Sequence, residues 1–312
     1  MPLAPEYQSL LEQLAQVPSP PIYEMTPEDA RAAYRLMRPR DDQIAVGAVS
    51  ELSAPGPAGQ IALRIYRPEG EGPFPVLVNF HGGGWVFGDL DTADTVCRNL
   101  CRTARCLVVS VDYRLAPEHP YPAAIDDAYA ATCWVAENEG ELGGNGRLAV
   151  TGESAGGNLA AAVCLRARDE DGPVIDYQLL FYPVIEADFS RASYEENRSG
   201  YLLETATMIW FWDHYLAETS RRSEAYASPL RADDLGGLPP AAIVTAEFDP
   251  LRDEGNAFAD ALAAAGTPAE LVCCPGLIHD FCGTAHLFES GRKPFEDACA
   301  ALSRAMDGTP ES

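Results

Sequence analysis

The chain has little positive charge. Its 22 basic residues face 47 acidic ones, and Lys293 is the only lysine. The formal net charge of −25 repels both the phosphates of nucleic acids and the surfaces of anionic lipids. We therefore expect neither a nucleic acid nor a lipid surface as a partner.

Long apolar runs and an export signal are also missing. No apolar run reaches the about 18 residues that a membrane-spanning helix needs, so we predict no membrane anchor. Residues 1–6 carry neither the basic nor the apolar part of a secretory signal. The nine cysteines are an odd number, and we interpret them as reduced thiols of a cytoplasmic protein.

A hydrophobic content of 47% is enough to build a large buried core. Apolar side chains recur at helical spacing in residues 6–17 and 27–38, which predicts two helices near the N-terminus. Thr26 precedes Pro27 at the start of the second pattern, where a capping residue and a proline in the first turn are favourable.

From residue 44 onward, short apolar runs bounded by turn residues predict β-strands. The runs lie at residues 44–46, 61–66, 75–80, 106–111, 147–151, 177–182 and 241–245, and a turn at 55–59 separates the first two. Helical patterns occupy residues 92–104, 122–138, 155–168 and 250–265. This alternation predicts an α/β fold with a mostly parallel central sheet flanked by helices and joined by right-handed connections.

Residues 185–226 interrupt this alternation, since they are longer than an ordinary crossover and rich in aromatic side chains. An aromatic insertion on an α/β sheet predicts a lid over a binding site. The alternative is a helical excursion that packs onto the sheet and adds only to the core.

The segment Gly152-Glu153-Ser154-Ala155-Gly156-Gly157 joins the strand at 147–151 to the helix at 155–168. A G-x-S-x-G pattern in this place predicts a nucleophile elbow, a tight turn that presents Ser154 at the end of a strand. The glycines are needed because strand and helix approach closely there, and the helix N-terminus favours negative charge at the serine. A tight turn with an unreactive serine is the alternative.

A serine hydroxyl needs a base, and the base needs an oriented partner. In this class of fold, the acid and the base follow the serine along the chain, each at the C-terminal end of a strand. Asp249 follows the strand at 241–245, and His279 follows the apolar residues 271–274. Their separation of 30 residues suits one helix plus one strand, so we expect both at the same sheet edge as Ser154.

Other carboxylates and histidines are weaker candidates for these two roles. The alternatives are Asp253 and Glu254 inside the next helix, His286 two turns into a later helix, His214 in the lid and His119 in a proline-rich segment. Most single histidines of this kind are structural or solvated.

The segment His81-Gly82-Gly83-Gly84-Trp85 directly follows the strand at 75–80. Three consecutive glycines let backbone N–H groups turn toward one point without obstruction by side chains. This is the requirement for an oxyanion hole that binds a tetrahedral acyl intermediate. A flexible turn is the alternative.

Together these motifs resemble those of hormone-sensitive-lipase-like esterases of the α/β-hydrolase fold, the bacterial family IV carboxylesterases. The resemblance covers about residues 75–290. It rests on HGGGW at 81–85, DYRLAPEHPYPAA at 112–124, GESAGG at 152–157, FDPLRDEG at 248–255 and GLIHDF at 276–281. Motifs of this number and order are very specific.

The resemblance implies a serine carboxylesterase that hydrolyses short- to medium-chain esters through an acyl-enzyme intermediate, with no cofactor and no metal. Its implied site consists of the nucleophile Ser154, the base His279, the orienting Asp249 and the oxyanion donors Gly83, Gly84 and Ala155. Two motif positions vary: Glu153 stands where many members have Asp, a change that we expect to matter little, and Asp280 follows the histidine.

The resemblance also implies a helical cap over the substrate pockets. Residues 1–45 and 185–226 would form this cap, and residues 46–184 and 227–312 the catalytic domain. An apolar, partly enclosed pocket would be lined by Trp85, Tyr201, Leu202, Leu203 and Trp210.

Three other functions stay open. A non-catalytic small-molecule receptor on this fold, as in the plant gibberellin receptors, would lack the histidine found at position 279. A zinc protein would use Cys273, Cys274, His279, Cys282 and His286, although adjacent cysteines on a strand face opposite sides. An amide, lactone or thioester is also an acceptable substrate for such a site. Relatives often dimerise through the last strand, here about residues 269–274, so a homodimer is a further expectation.

Overall fold

One sheet of eight strands runs through the computed structural model, which describes residues 2–17 and 19–307. The strands are β1 (Ala48–Gly56), β2 (Gly59–Arg67), β3 (Phe74–Phe80), β4 (Leu107–Val111), β5 (Gly144–Glu153), β6 (Tyr177–Phe181), β7 (Ala241–Phe248) and β8 (Ala269–Ile278). Their order across the sheet is β1-β2-β4-β3-β5-β6-β7-β8. Only the pairs β1–β2 and β2–β4 are antiparallel. The predicted mostly parallel sheet is confirmed.

Helices cover both faces of this sheet. They are α1 (Pro5–Leu14), α2 (Pro27–Met37), α3 (Asp94–Ala104), α4 (Ala123–Glu137), α5 (Glu139–Leu142), α6 (Ala155–Asp169), α7 (Ala192–Glu196), α8 (Thr205–Tyr215), α9 (Arg252–Ala264), α10 (Phe281–Thr284) and α11 (Glu289–Met306). Short 3₁₀ turns occupy Ile22–Glu24, Thr219–Ser223 and Pro229–Arg231. α4, α6 and α9 pack on one face and α3 and α11 on the other.

The central strands have apolar side chains on both faces, which explains their continuous apolar runs. In β5, Leu148 and Val150 join the core under α4 and α6, while Ala149 joins the core under α3 and α11. Successive side chains alternate between the two faces, so a strand covered on both sides needs apolar residues at every position.

The first predicted strand is wrong. Residues 44–46 form no strand; β1 begins at Ala48, although Ile44 is buried and its carbonyl accepts a hydrogen bond from Arg98 Nη1 at 3.1 Å. The apolar run reflects the burial of Ile44 and the packing of the half-buried Val46 against the core, without strand pairing. β1 itself is the edge strand with mostly exposed side chains, so it lacks the alternating pattern that marks a half-buried strand.

The predicted start of α2 is confirmed. Thr26 caps the helix, since its hydroxyl oxygen accepts the N–H of Asp29 at 3.2 Å, and Pro27 is the first helical residue. From α2, Arg31 donates to the carbonyls of Val86 and Ala116 at 2.8 and 2.9 Å. These bonds attach the N-terminal segment to the loops at the carboxyl ends of the central strands.

Residues 185–226 lie within the connection between β6 and β7 and contain the helices α7 and α8. Their aromatic side chains pack against the loop that follows β3, as the ring of Phe211 on that of Phe87 does at a centroid distance of 4.9 Å. None of the helices in residues 2–17 and 19–307 has the length and apolar character needed to cross a membrane.

Candidate active site

Ser154 lies in the turn between β5 and α6, with a backbone φ of +57°. An L-residue rarely adopts this left-handed conformation, so the surrounding contacts must hold it there. Its N–H donates to the carbonyl of Phe181 on β6 at 3.0 Å. A Cβ at Gly156 would lie only 1.9 Å from the carbonyl oxygen of Phe80, so the close approach of helix and strand requires glycine there.

Asp249 and His279 follow the ends of β7 and β8, at the sheet edge where β5 delivers Ser154. His279 Nδ1 lies 2.7 Å from Asp249 Oδ2, and Nε2 lies 3.0 Å from Ser154 Oγ. Because a carboxylate only accepts hydrogen bonds, Nδ1 carries the proton and Nε2 accepts from the serine hydroxyl. The structure therefore brings the three residues into one chain of hydrogen bonds.

These three side chains are largely withdrawn from solvent. Asp249 is fully buried, and Ser154 and His279 expose 7% and 8% of their surfaces. The second carboxylate oxygen of Asp249 accepts the N–H of Leu251 at 2.9 Å, and its carbonyl accepts from Asn197 Nδ2 at 3.1 Å. These bonds hold the carboxylate facing the imidazole.

The glycine loop after β3 presents free backbone donors. Gly83 and Gly84 have φ values of +116° and +59°, and the Gly83 carbonyl accepts the N–H groups of Val86 and Phe87 at 3.1 and 2.8 Å. Within the described part of the chain, the N–H groups of Gly83, Gly84 and Ala155 donate to no acceptor. Ala155 begins α6, where N–H groups lack intrahelical partners. Such donors suit a developing oxyanion.

His81 supports the start of this loop. It is buried and stacks on Tyr113 with ring centroids 4.2 Å apart, and the Tyr113 hydroxyl donates to the His81 carbonyl at 2.8 Å. Burial lowers the pKa of His81 below its usual value, so the ring is neutral near pH 7. His81 is therefore a structural residue of the loop.

The alternative carboxylates have other partners. Asp253 and Glu254 lie in α9, as predicted. Asp253 accepts the N–H of Ser193 at 2.8 Å, and Glu254 accepts the N–H of Ile185 at 2.7 Å and the hydroxyl of Tyr194 at 3.0 Å. Both carboxylates therefore attach residues 185–226 to α9.

The alternative histidines also lie apart from the serine. His214 Nδ1 lies 2.8 Å from the carbonyl oxygen of Trp210 in its own helix, and His119 is exposed in the segment before α4. The prediction that His286 lies two turns into a helix is wrong, because α10 ends at Thr284 and α11 begins only at Glu289.

The five predicted pocket residues have different surroundings. Trp85 is fully buried, with its ring stacked on that of Tyr215 at 4.0 Å, so its side chain belongs to the core beneath the glycine loop. Leu203 is also buried, and Leu202 is half-buried with a φ of +71°. The remaining two, Tyr201 and Trp210, are half-buried and pack on Phe248 and Phe87, with centroid distances of 4.9 and 5.9 Å.

The cysteine cluster does not form a ligand set. Cys273 is exposed and Cys274 is buried, as expected for neighbours on a strand that face opposite sides. Across residues 2–17 and 19–307, no group of three or more His, Cys, Asp or Glu side chains is arranged to hold a metal ion.

Sequence reasoning missed two side chains beside the site. Arg38, the residue after α2, forms ion pairs with Glu153 and with Asp280. Tyr182, directly after β6, packs its ring against that of His279 at a centroid distance of 4.6 Å. No local motif marks either residue, because both act through contacts with distant parts of the chain.

Comparison with known proteins agrees with this architecture. The family described as alpha/beta hydrolase fold matches residues 77–283. Carboxylic ester hydrolase LipN of Mycobacterium tuberculosis (strain ATCC 25618 / H37Rv) is 48% identical over 250 residues, which span 78% of this chain and 66% of LipN, just under two thirds of its length. Esterase LipI of the same strain is 45% identical over 265 residues, covering 83% of each chain.

Among solved structures, a thermostable esterase from Pseudomonas putida ECU1011 superposes with a TM-score of 0.94 at 40% identity, covering 99% of both chains. The likeness therefore extends over the helical segments as well as the sheet. The family match spans more than half of the chain, and the sequence relatives carry ester-hydrolase names. The chain belongs to the α/β-hydrolase fold family, in its hormone-sensitive-lipase-like branch.

Proposed function

We propose that the protein is a serine carboxylesterase that hydrolyses short- to medium-chain carboxylic esters through an acyl-enzyme intermediate. The observation that carries the proposal is the hydrogen-bonded chain from Ser154 through His279 to Asp249. The ester-hydrolase names of the relatives support the same reaction class.

Acylation begins when the Ser154 oxygen attacks the ester carbonyl carbon and His279 Nε2 takes the hydroxyl proton. Asp249 stabilises the imidazolium that forms. The carbonyl oxygen becomes an oxyanion, which accepts hydrogen bonds from the backbone N–H groups of Gly83, Gly84 and Ala155. The C–O bond to the alcohol then breaks, and His279 returns its proton to the departing alkoxide.

Deacylation repeats these steps with water as the nucleophile. His279 removes a proton from water, the hydroxide adds to the acyl carbon, and the bond to Ser154 breaks as the serine regains its proton. Each oxyanion donor lowers the barrier by about 3 to 4 kcal/mol.

Residues 1–45 and 185–226 form the cap over this site in our proposal. Phe211 of α8 lies against Gly84, where an added Cβ would meet its ring at 2.1 Å, so the cap contacts the proposed oxyanion loop directly. We expect these packed aromatic side chains to favour a small acyl group. The half-buried Tyr201, Leu202 and Trp210 are the candidates for contact with substrate, while Leu203 and Trp85 are buried in the core.

The direct experiment compares the protein with Ser154→Ala in the hydrolysis of p-nitrophenyl butyrate. We expect the variant to fold, because alanine removes only a hydroxyl, and to lose hydrolysis. Circular dichroism and thermal unfolding verify the fold. A folded variant that keeps most of the activity would contradict the proposal.

We also propose a cytoplasmic location and a homodimer. All nine cysteines, which lie in the described ranges, are free thiols, and a reducing compartment keeps thiols in that state. Fractionation of cells that express the full chain tests the location, and recovery outside the cytosol would contradict it. For the dimer, β8 is an outer strand of the sheet, and Leu271 and Val272 on it are 38% and 41% exposed.

Light scattering tests the dimer with two matched variants. Val272→Glu places a charge on the open strand and should yield monomers. Val174→Glu changes an equally apolar side chain, 81% exposed in a loop, and should leave the mass unchanged. A monomeric unmodified protein would contradict the proposal.

A further inference from the structure

The buried guanidinium of Arg38 binds two carboxylates: one on the residue before the proposed nucleophile and one on the residue after the proposed base. Arg38 Nη1 and Nη2 donate to the two carboxylate oxygens of Glu153 at 2.8 and 3.2 Å. Its Nε donates to Asp280 Oδ2 at 3.3 Å, and Nη2 also donates to Asp280 Oδ1. Glu153 immediately precedes Ser154, and Asp280 immediately follows His279.

The pairing is shielded from water. The side chains of Arg38 and Glu153 are only 9% and 3% exposed, and that of Asp280 is 21% exposed. Exposed ion pairs contribute little, but a buried, bidentate pair keeps a defined geometry, and loss of one partner leaves an uncompensated buried charge. Arginine suits this place because its planar fork can engage two carboxylates at once.

Glu153 also connects this cluster to the imidazole. Its Oε2 accepts a hydrogen bond from the Tyr182 hydroxyl at 3.0 Å, and the Tyr182 ring packs on the His279 ring. The carboxylate that precedes the serine therefore also holds the aromatic ring that supports the histidine.

Two of the residues involved have left-handed backbone conformations. Ser154 has a φ of +57° and Asp280 a φ of +70°. Such conformations cost free energy in L-residues and persist only where neighbouring contacts hold them. Arg38 binds the side chain of Asp280 itself and that of Glu153, the residue next to Ser154.

We propose that Arg38 is a positioning residue of the active site, which holds Ser154 and His279 in reacting geometry through the carboxylates of Glu153 and Asp280. The inference rests on the proposed esterase function and deepens it. It makes the segment after α2 part of the catalytic assembly, because this segment supplies the cation that pairs with two carboxylates beside Ser154 and His279. Small displacements of reacting groups can cost about 10²-fold in rate.

The test compares Arg38→Met with Arg35→Met. Arg35 lies in the last turn of α2, just before Arg38, and forms an exposed ion pair with Asp89 at 2.8 Å, so its variant controls for loss of a positive charge from this part of the chain. For Arg38→Met we expect kcat on p-nitrophenyl butyrate to fall by about 10²-fold, with KM within about threefold of the original value. The rate of Ser154 labelling by a fluorophosphonate should fall in parallel, and Arg35→Met should change neither quantity.

Conservative variants separate positioning from mere stability. Arg38→Lys keeps the charge but loses the fork, so we expect a kcat between those of the original protein and Arg38→Met. Asp280→Asn keeps the shape and tolerates the left-handed conformation, and we expect a several-fold lower kcat, about 3- to 10-fold, with unchanged KM. The double variant Arg38→Met/Asp280→Asn should lose no more kcat than Arg38→Met alone, because the two residues act as a unit.

The outcomes discriminate between the two proposals. Absence of both hydrolysis and labelling in the unmodified protein would overturn the esterase function and the role of Arg38 with it. Full activity in a folded Arg38→Met variant would overturn the role of Arg38 alone. If Arg38→Met does not fold, the variants Asp280→Asn and Glu153→Gln test the role of Arg38 through its two partners. An unchanged kcat in both of them would overturn the inference. A kcat of the double variant that falls by the product of the two single-variant losses would also contradict the inference.

Discussion

The imidazole Nε2 of His279 lies 3.0 Å from the hydroxyl oxygen of Ser154, although 125 positions separate the two residues along the chain. This contact exists because β5 and β8 end at the same edge of a parallel sheet. The carboxylate that completes the arrangement, that of Asp249, follows the strand beside β8. Three loops from one sheet edge thus supply the three hydrogen-bonded side chains, as expected for open α/β sheets, which bind ligands at the carboxyl ends of their strands.

The first prediction concerns the orienting carboxylate. Asp249→Asn keeps the size of the side chain but removes the charge and the preference for a proton on His279 Nδ1, so kcat should fall by about 10³- to 10⁴-fold. Steady-state hydrolysis of p-nitrophenyl butyrate measures the loss. Asp253→Asn is the matched control in the same region and should keep its activity, since Asp253 bonds to Ser193 and Arg252 instead. A fall of less than about tenfold in Asp249→Asn would contradict its assigned role.

The second prediction concerns the oxyanion loop. An added Cβ at Gly84 would meet the ring of Phe211 at 2.1 Å, at a φ of +59°, so Gly84→Ala must displace the loop with its donors, the Phe211 ring or both. We expect kcat to fall by at least about 10²-fold. Gly59→Ala is the control, because Gly59 also has a positive φ, +139°, with nothing within 4 Å of an added Cβ. Equal kcat values in the two variants would show that the loop supplies no transition-state donors.

The third prediction concerns the pH dependence of stability. Burial raises the pKa of Glu254 well above its ordinary 4.5, although hydrogen bonds from Ile185 and Tyr194 act in the opposite direction. Between the ordinary and the raised pKa, the folded chain holds a proton that the unfolded chain has lost. The contribution of this group to the free energy of unfolding therefore falls as the pH rises through that window.

Glu254→Gln removes this contribution. The free energy of unfolding of the variant minus that of the original protein should therefore increase with pH. We expect an increase of about 1.4 kcal/mol per pH unit above about pH 5, until the pH passes the pKa of Glu254 in the folded protein. Urea denaturation of both proteins at about pH 5, 6 and 7 measures the difference. A difference that stays constant over this range would contradict a raised pKa at Glu254.

The fourth prediction concerns acyl-chain length. Phe211 lies against the glycine loop and Trp85 fills the space beneath it, so the acyl pocket should be short. In a series of p-nitrophenyl esters from C2 to C16, we expect kcat/KM to be highest at or below about C8 and at least about tenfold lower at C14 and beyond. A preference for chains of C14 or longer would contradict a short pocket.

Local motifs made much of this arrangement predictable. The backbone geometry of the elbow at Ser154 and of the glycine loop at 82–84 can be predicted from a few consecutive residues in each case, because only glycine permits such close approaches. Asp249 and His279 could be placed at one edge from strand order alone. The alternation of buried strands and helices likewise predicted the sheet, since strands covered on both faces need continuous apolar runs.

The parts that the sequence did not reveal depend on contacts between distant segments. No sequence motif marks Arg38, because its partners Glu153 and Asp280 lie 115 and 242 positions away. Trp85 is predicted to line the pocket because it follows the glycine loop, but its ring is fully buried on that of Tyr215, a contact with a distant segment that the motif does not show. The strand at Ala48–Gly56 went unrecognised because an edge strand with solvated side chains has no apolar face to reveal it.

The most direct test of the account is the site of covalent modification by a fluorophosphonate. We expect peptide mass spectrometry to find one label, on Ser154, and hydrolysis of p-nitrophenyl butyrate to disappear in proportion to the labelled fraction. Labelling of a different residue with loss of activity, or full activity in protein labelled at Ser154, would contradict the assignment of this serine as the nucleophile.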